Sequence, residues 1–351
     1  MGRWGRRGLP RRAGRSDWRE MDFALSEEQE LLQETVRGFV EKECPAALAR
    51  QIFDGERGPA VKLWSGLAEI GIAGLAIPEK LGGAGLALLE LALVSEELGR
   101  GVVPVPFLGH VLASLALAQG GSDAQQARWL PELASGEALG AIAFGDIAPH
   151  AGDADVLVFA RADGSLALAE RGAFRSEPIA SNDRGRPLSR VAVAAGAGDP
   201  LPGASLARVR DAALILLAAD AFGAAHRLIR MTVEYSKTRQ QFGQPIAHFQ
   251  ALKHQLANMA VEVDPTRGLW WYAAHVYDTE PERAERAAAL AKAHVTDRAQ
   301  QAARDAVECH GGIGFTWECD VQLWFKRILF DRQWLGTPEQ HRERIAQMSG
   351  W

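Results

Sequence analysis

The chain has 351 residues, 47% of them apolar and 24% charged, with a formal net charge of −5. That length leaves room for two or three domains around a sizeable core, and the mild acidity argues against nucleic acid as the main partner. No apolar run reads as long enough to span a bilayer, so no membrane partner is expected. The three cysteines, Cys44, Cys309 and Cys319, offer neither metal-ligand spacing nor an even disulfide framework, which fits a reducing, cytoplasmic setting.

Residues 1–20 carry seven arginines against two acids and show no apolar periodicity. A secretory signal needs an apolar h-region, which is missing, and the Gly and Trp content is an odd match to an organellar transit peptide. The simpler readings are a disordered arm or a mis-assigned start, with synthesis beginning at Met21.

The segment 21–138 reads as a helical domain. Ser26 followed by Gln29 has the spacing of a capping box, after which Leu32, Val36, Phe39 and Val40 share one helical face. Further helices are expected over 60–70, 86–98 and 111–118, with Trp129-Leu130-Pro131 opening another short one. The period changes over 139–204, where 155–160, 165–169 and 190–194 are short β-like runs. Three convincing strands are few for an independent β-domain, so this middle domain reads as reduced. Long helical patterns return over 205–351, at 212–237, 247–263, 267–277 and 282–308. Helices of this length predict an antiparallel four-helix bundle.

Three segments carry a family resemblance. The first is Gly74-Leu75-Ala76-Ile77-Pro78-Glu79 with Gly82-Gly83-Ala84-Gly85. It fails as a dinucleotide-binding loop, because a helix and not a strand precedes it. The second runs from Arg239-Gln240-Gln241-Phe242-Gly243 through Ile246 to Phe249-Gln250, and the third is His310-Gly311-Gly312-Ile313-Gly314-Phe315-Thr316-Trp317-Glu318. Together they resemble the acyl-CoA dehydrogenase family, with its R-x-x-F-G and G-G-x-G-[FY] stretches. The resemblance implies a mainly α fold with an N-terminal helical domain, a middle β-domain and a C-terminal bundle.

It also implies FAD as cofactor and dehydrogenation of an acyl-CoA, in which a carboxylate removes the α-proton and the flavin takes the β-hydride. By resemblance, Arg239, Gln241, Phe242, Ile246, Phe249 and Gln250 hold the FAD pyrophosphate and adenosine, and Gly311 and Gly312 serve the same half. Arginine suits a pyrophosphate because its planar fork gives charge-assisted hydrogen bonds, and glycine lets backbone N–H groups come close. Taken singly, each of these residues could be a surface cation, a core aromatic or a helix terminator; their combined spacing favours the cofactor. His310, a lone histidine beside glycines, reads as structural and not as a base or ligand.

The pattern breaks at the base. In the family the catalytic glutamate precedes a Gly-Thr pair, and here that position is Leu335 in Trp334-Leu335-Gly336-Thr337. The alternative base position, on the helix before R-x-x-F-G, is Ala213, followed by Leu214. Neither side chain accepts a proton, so no catalytic residue is assigned. The flavin-facing T-E-P-x-x-G-S-D-like run is reduced to Ala143-Phe144-Gly145-Asp146-Ile147-Ala148, and Glu308 stands where the family commonly has a glutamine.

By the resemblance, the chain retains the segments that in the family reach a neighbouring subunit's FAD and has lost those that hold its own. The resemblance extends to subunits of α2β2 acyl-CoA dehydrogenases of bacterial sterol side-chain degradation. It implies a partner: a paralogous subunit that carries the catalytic glutamate and shares FAD across the interface. Two other readings stay open: a homotetrameric dehydrogenase with a relocated base, Asp211 or the less suitable Glu318, and a flavin-free scaffold.

Overall fold

The computed structural model of the protein describes residues 24–194 and 196–351, so the arm reading for residues 1–20 lies outside the described residues. Helix α1 (Glu27–Glu43) starts at the expected cap. Ser26 Oγ accepts from the Gln29 N–H at 3.2 Å, and Gln29 Oε1 accepts from the Ser26 N–H at 2.9 Å. This reciprocal pairing satisfies two orphan donors at once. Val36 and Val40 are buried, with Leu32 and Phe39 packed beside them.

Helices α2 (Ala46–Phe53), α3 (Gly58–Glu69), α4 (Leu88–Arg100), α5 (Phe107–Gly120) and α6 (Asp123–Ser135) follow. The Trp129-Leu130-Pro131 run does not open a helix. A second capping box, Ser122 with Gln125, starts α6, and Pro131 lies inside it. Proline favours the first helical turn, but the cap sets the start, and near the far end a proline forfeits a single backbone bond.

Between Gly140 and Pro200 the described residues form seven short strands, more than the three legible in the sequence. One sheet orders β1 (Gly140–Ile142), β3 (Val156–Ala160), β4 (Leu166–Glu170) and β7 (Asp199–Pro200), with β1 parallel to β3 and the rest antiparallel. The other orders β2 (Ile147–Pro149), β6 (Leu188–Val193) and β5 (Phe174–Ile179), all antiparallel. The extra strands escaped notice for a physical reason. β1, β2 and β7 are too short to show a period of two, and β5 is a largely exposed FRSEPI segment.

Helices α7 (Leu206–Thr238), α8 (Gln250–Val263), α9 (Arg267–Thr279) and α10 (Pro281–His310) make the expected bundle, joined by α11 (Val321–Gln333) and α12 (Pro338–Met348). Helix α10 packs against α7, α8, α9, α11 and α12. One expectation fails on α7. It contains an 18-residue window of mean hydropathy 1.6, long and apolar enough to cross a bilayer, but 89% of that window is buried inside the protein. It is the central core helix, covered by α4, α9, α10 and α11.

Helices α4 and α7 meet backbone to backbone. A Cβ on Gly99 would stand 2.1 Å from the Asp220 carbonyl oxygen, and one on Gly223 1.9 Å from that of Glu96. Either alanine would force the helices apart.

Beside this crossing lies a buried ion network. Arg327 Nε donates to Asp183 at 2.6 Å, its Nη1 to Asp220 at 3.5 Å and its Nη2 to the Val103 carbonyl at 3.1 Å. Arg186 bridges Asp220 and Asp331. Asp183 and Arg186 belong to the β5–β6 loop, Asp220 to α7, and Arg327 and Asp331 to α11, so the network ties the β layer to the bundle. Three carboxylates face two guanidiniums. Burial and the neighbouring Asp220 push the Asp331 pKa well above the usual carboxylate range.

Candidate functional site

Helix α7 ends at Arg239, whose backbone turns extended (φ −68°, ψ 125°). The hairpin of β8 (Gln240–Gln241) and β9 (Gln244–Pro245) follows. Its two central residues, Phe242 (φ 53°) and Gly243 (φ 77°), both have positive φ, as a type I′ turn requires. The Ile246 N–H donates to the Arg239 carbonyl at 2.8 Å and closes the loop.

This geometry points Phe242 outward, 91% exposed, with its ring edge-on to Phe249 at 5.9 Å. Gln241 and Gln250 are also exposed, while Ile246 and Phe249 are half-buried beneath them. Arg239 is exposed, and its guanidinium has no hydrogen-bond or ion-pair partner among the described residues.

The glycine segment lies at the same end of the bundle. Helix α10 stops at Gly311 (φ 64°, ψ −145°), followed by a 3-10 turn over Gly311–Phe315. Gly314 is required within the chain, since its Cβ would lie 2.5 Å from the Val307 carbonyl oxygen. Gly312 is different: a Cβ there would meet nothing within 4 Å, and its φ is not positive. The chain's own packing gives it no reason to be glycine, whereas close approach by an outside group does. His310 stacks on Tyr235 with ring centroids 4.3 Å apart, and its Nδ1–H donates to the Ala306 carbonyl at 2.7 Å. That is a structural role.

The two family base positions are elsewhere. Ala213 and Leu214 are fully buried in α7. Leu335 follows α11 with a left-handed backbone (φ 64°) that a γ-branched residue rarely adopts. It lines a cavity of about 530 Å³ with Phe144, Gly145, Ala160, Arg210 and Arg344. Arg210 Nη2 donates to the Leu335 carbonyl at 3.2 Å, and Arg344 Nε pairs with Glu285 at 2.9 Å. The wall where a carboxylate base would stand therefore carries two guanidiniums. Sequence reasoning missed both, because neither lies in a motif and only the fold brings α7 and α12 together.

Asp211 is buried and does not line that cavity. Burial pushes its pKa up to about 6, partly offset by Arg344 and Arg208. Glu318 is exposed, with a pKa held below the usual range by local hydrogen bonds. Between Ala143 and Ala148 the only polar side chain is Asp146, which Arg190 engages at 2.9 Å, and the Phe144 ring packs edge-on against Trp334 at 5.6 Å. A flavin ring finds no free hydroxyl or acid on this wall. The hairpin and glycine turn, with a free guanidinium and an open Gly312, fit the pyrophosphate and adenosine half of FAD.

A helical N-terminal part, a small β layer and a helical bundle ending in this hairpin and glycine turn define an acyl-CoA dehydrogenase fold. The chain belongs to that family: the acyl-CoA dehydrogenase N-terminal domain matches residues 26–137 and the C-terminal domain residues 212–349. FAD is the family's cofactor. Acyl-CoA dehydrogenase IpdE2 of Mycolicibacterium smegmatis is 38% identical over 328 residues, covering 92% of this chain and 98% of the relative. The ChsE4–ChsE5 complex of Mycobacterium tuberculosis superimposes with a TM-score of 0.86 at 25% identity, covering 94% of this chain and 99% of the matched one. A steroid acyl-CoA dehydrogenase, the Tcur3481–Tcur3483 G363A variant, gives a TM-score of 0.84 at 27% identity, over 92% of this chain and 98% of that one.

Proposed function

We propose that this chain is the non-catalytic subunit of a heteromeric acyl-CoA dehydrogenase and completes the FAD site of a paralogous partner. One observation carries the reading: both base positions, Leu335 and Ala213, are apolar, while Phe242 is exposed and the exposed Arg239 guanidinium has no partner among the described residues. When bound, FAD accepts the hydride leaving the acyl β-carbon. Arg239 neutralises the pyrophosphate through its fork. Phe242, with Gln241, Ile246, Phe249 and Gln250 around it, covers the adenosine, and Gly311 and Gly312 let backbone N–H groups approach. The partner supplies the carboxylate that removes the α-proton.

The substrate class is an acyl-CoA with a steroid-derived acyl group, a reading supported by the steroid acyl-CoA dehydrogenase among the similar structures. The free thiols of Cys44, Cys309 and Cys319 support a reducing cytoplasmic setting.

A second reading has one observation in its favour: Asp211, with a pKa of about 6, is poised as a base would be. Its position behind the cavity wall speaks against it. The test is replacement of the partner's catalytic glutamate by glutamine in the co-purified complex. Turnover should vanish while FAD stays bound. Turnover that survives places a base in this chain and defeats the proposal.

A further inference from the structure

A second cavity of about 530 Å³ opens between helices α2 and α3 and the β5–β6 loop. It shares no residue with the hairpin, the glycine turn or the cavity at Leu335. Its volume falls in the ordinary range for small-molecule sites. Ile52, Phe53, Val61, Pro104, Pro106 and Leu139 give it an apolar wall.

Two buried ring-nitrogen residues interrupt that wall, Trp64 and His150, which are 8% and 9% exposed. Trp64 Nε1 and His150 Nε2 are both buried without a hydrogen-bond partner. Leaving such a group unpaired costs about 1–3 kcal/mol, so two in one cavity wall require an explanation. Gly136, another lining residue, caps α6 with a left-handed backbone (φ 75°), and a Cβ there would stand 2.6 Å from the Ala68 Cβ. His150 also holds a left-handed backbone (φ 55°), and such strained residues gather at ligand sites.

Charge selects the ligand. Arg57 and Arg184 border the cavity, but so do Asp54, Glu137 and Asp153, and Arg57 already pairs with Asp153 at 3.8 Å. An anion gains no net attraction there. Burial, reinforced by Arg186 and Arg327, lowers the His150 pKa to about 3, so its imidazole is neutral at physiological pH. The indole donates only, whereas a neutral imidazole nitrogen donates or accepts according to its tautomer.

We propose that this cavity binds a compact, neutral, apolar molecule bearing one hydroxyl or carbonyl oxygen, which takes the Trp64 N–H and pairs with His150. The site shares no residue with the hairpin, the glycine turn or the Leu335 cavity, so the proposal does not rest on the heteromer reading.

Calorimetric titration of the full chain, in whatever assembly it purifies, tests this with 2-naphthol, 2-acetonaphthone and oxygen-free naphthalene. The oxygenated probes should bind about tenfold more tightly than naphthalene, the worth of a made hydrogen bond. If both oxygenated probes show the preference, the site takes alcohols and ketones alike; if one does, that class is the ligand. Trp64→Phe should erase the preference. Val61→Trp, at a 66% exposed position on the cavity wall, should weaken all three probes without disturbing the fold. Three results would each overturn the proposal: no saturable binding, a preference that survives both Trp64→Phe and His150→Phe, or binding unaffected by Val61→Trp.

Discussion

Tyr235 lies flat on His310, with ring centroids 4.3 Å apart, and donates its hydroxyl to the His310 carbonyl at 3.3 Å. Tyr235 is one helical turn before Arg239, and His310 immediately precedes Gly311. This contact therefore pins the end of α7 to the end of α10 and brings together the two segments proposed to hold the cofactor. Among the described residues, none pairs with the Arg239 guanidinium.

Arg239→Ala should weaken FAD binding in the assembled complex by about 30- to 1,000-fold, the equivalent of roughly 2–4 kcal/mol for a charged, bidentate contact. Arg239→Lys should recover part of that loss, because lysine keeps the charge without the fork. FAD retention during gel filtration measures it, with the assembly state checked in the same run. Normal retention by the alanine variant would remove Arg239 from the cofactor and favour a protein-only scaffold.

Restoring a carboxylate should not restore catalysis. Leu335→Glu places an acid beside Arg210 and Arg344, which would hold it ionised and paired, well below the pKa a general base needs. Ala213→Glu buries a carboxylate in the α7 core and should cost several kcal/mol of stability. Steady-state turnover by the isolated chain should stay at background for both. Substantial activity from either would mean an intact flavin-facing pocket.

Asp211 gives a pH signature. Its folded pKa, about 6, lies above the ordinary aspartate value of 3.8, so between those values the folded state holds a proton the unfolded state has released. That contribution to stability is present at low pH and is lost as pH rises through about 6. Asp211→Asn should therefore raise stability at pH 7–8 by on the order of 1–2 kcal/mol, discounted for screening by nearby arginines, and leave it unchanged below pH 4. Thermal melts across that range check the sign, and turnover by the complex should be unaltered. Loss of turnover would revive the relocated-base reading.

Arg327 is fully buried among Asp183, Asp220 and Asp331. Arg327→Ala leaves those carboxylates without their main cation and should destabilise the chain by about 3–5 kcal/mol. Denaturant titration would show it; a shift under 1 kcal/mol would mean the acids are protonated and the network is nearly neutral.

The legible part of this molecule was its local chemistry. The Ser26–Gln29 cap, the periodicity of α7 and α10, and the R-x-x-F-G and G-G-x-G stretches depend on neighbours close in sequence. What stayed hidden depends on tertiary packing. Strands such as β1 and β7 have no period to read. The polarity of α7 as a core helix is decided by α4, α9, α10 and α11 around it. Arg210 and Arg344, which replace a carboxylate at Leu335, come from helices more than a hundred residues apart in the chain.

The central claim is that this chain cannot run a dehydrogenase site alone and completes a partner's. Flavin absorbance per chain, with acyl-CoA turnover, tests it on protein purified alone and after co-expression with a paralogous subunit that retains its glutamate. Alone, the chain should be poor in FAD, aggregated or both, with no turnover; co-expressed, it should yield an FAD-loaded, active heteromer. A well-behaved homotetramer of this chain with stoichiometric FAD and acyl-CoA turnover would contradict the account.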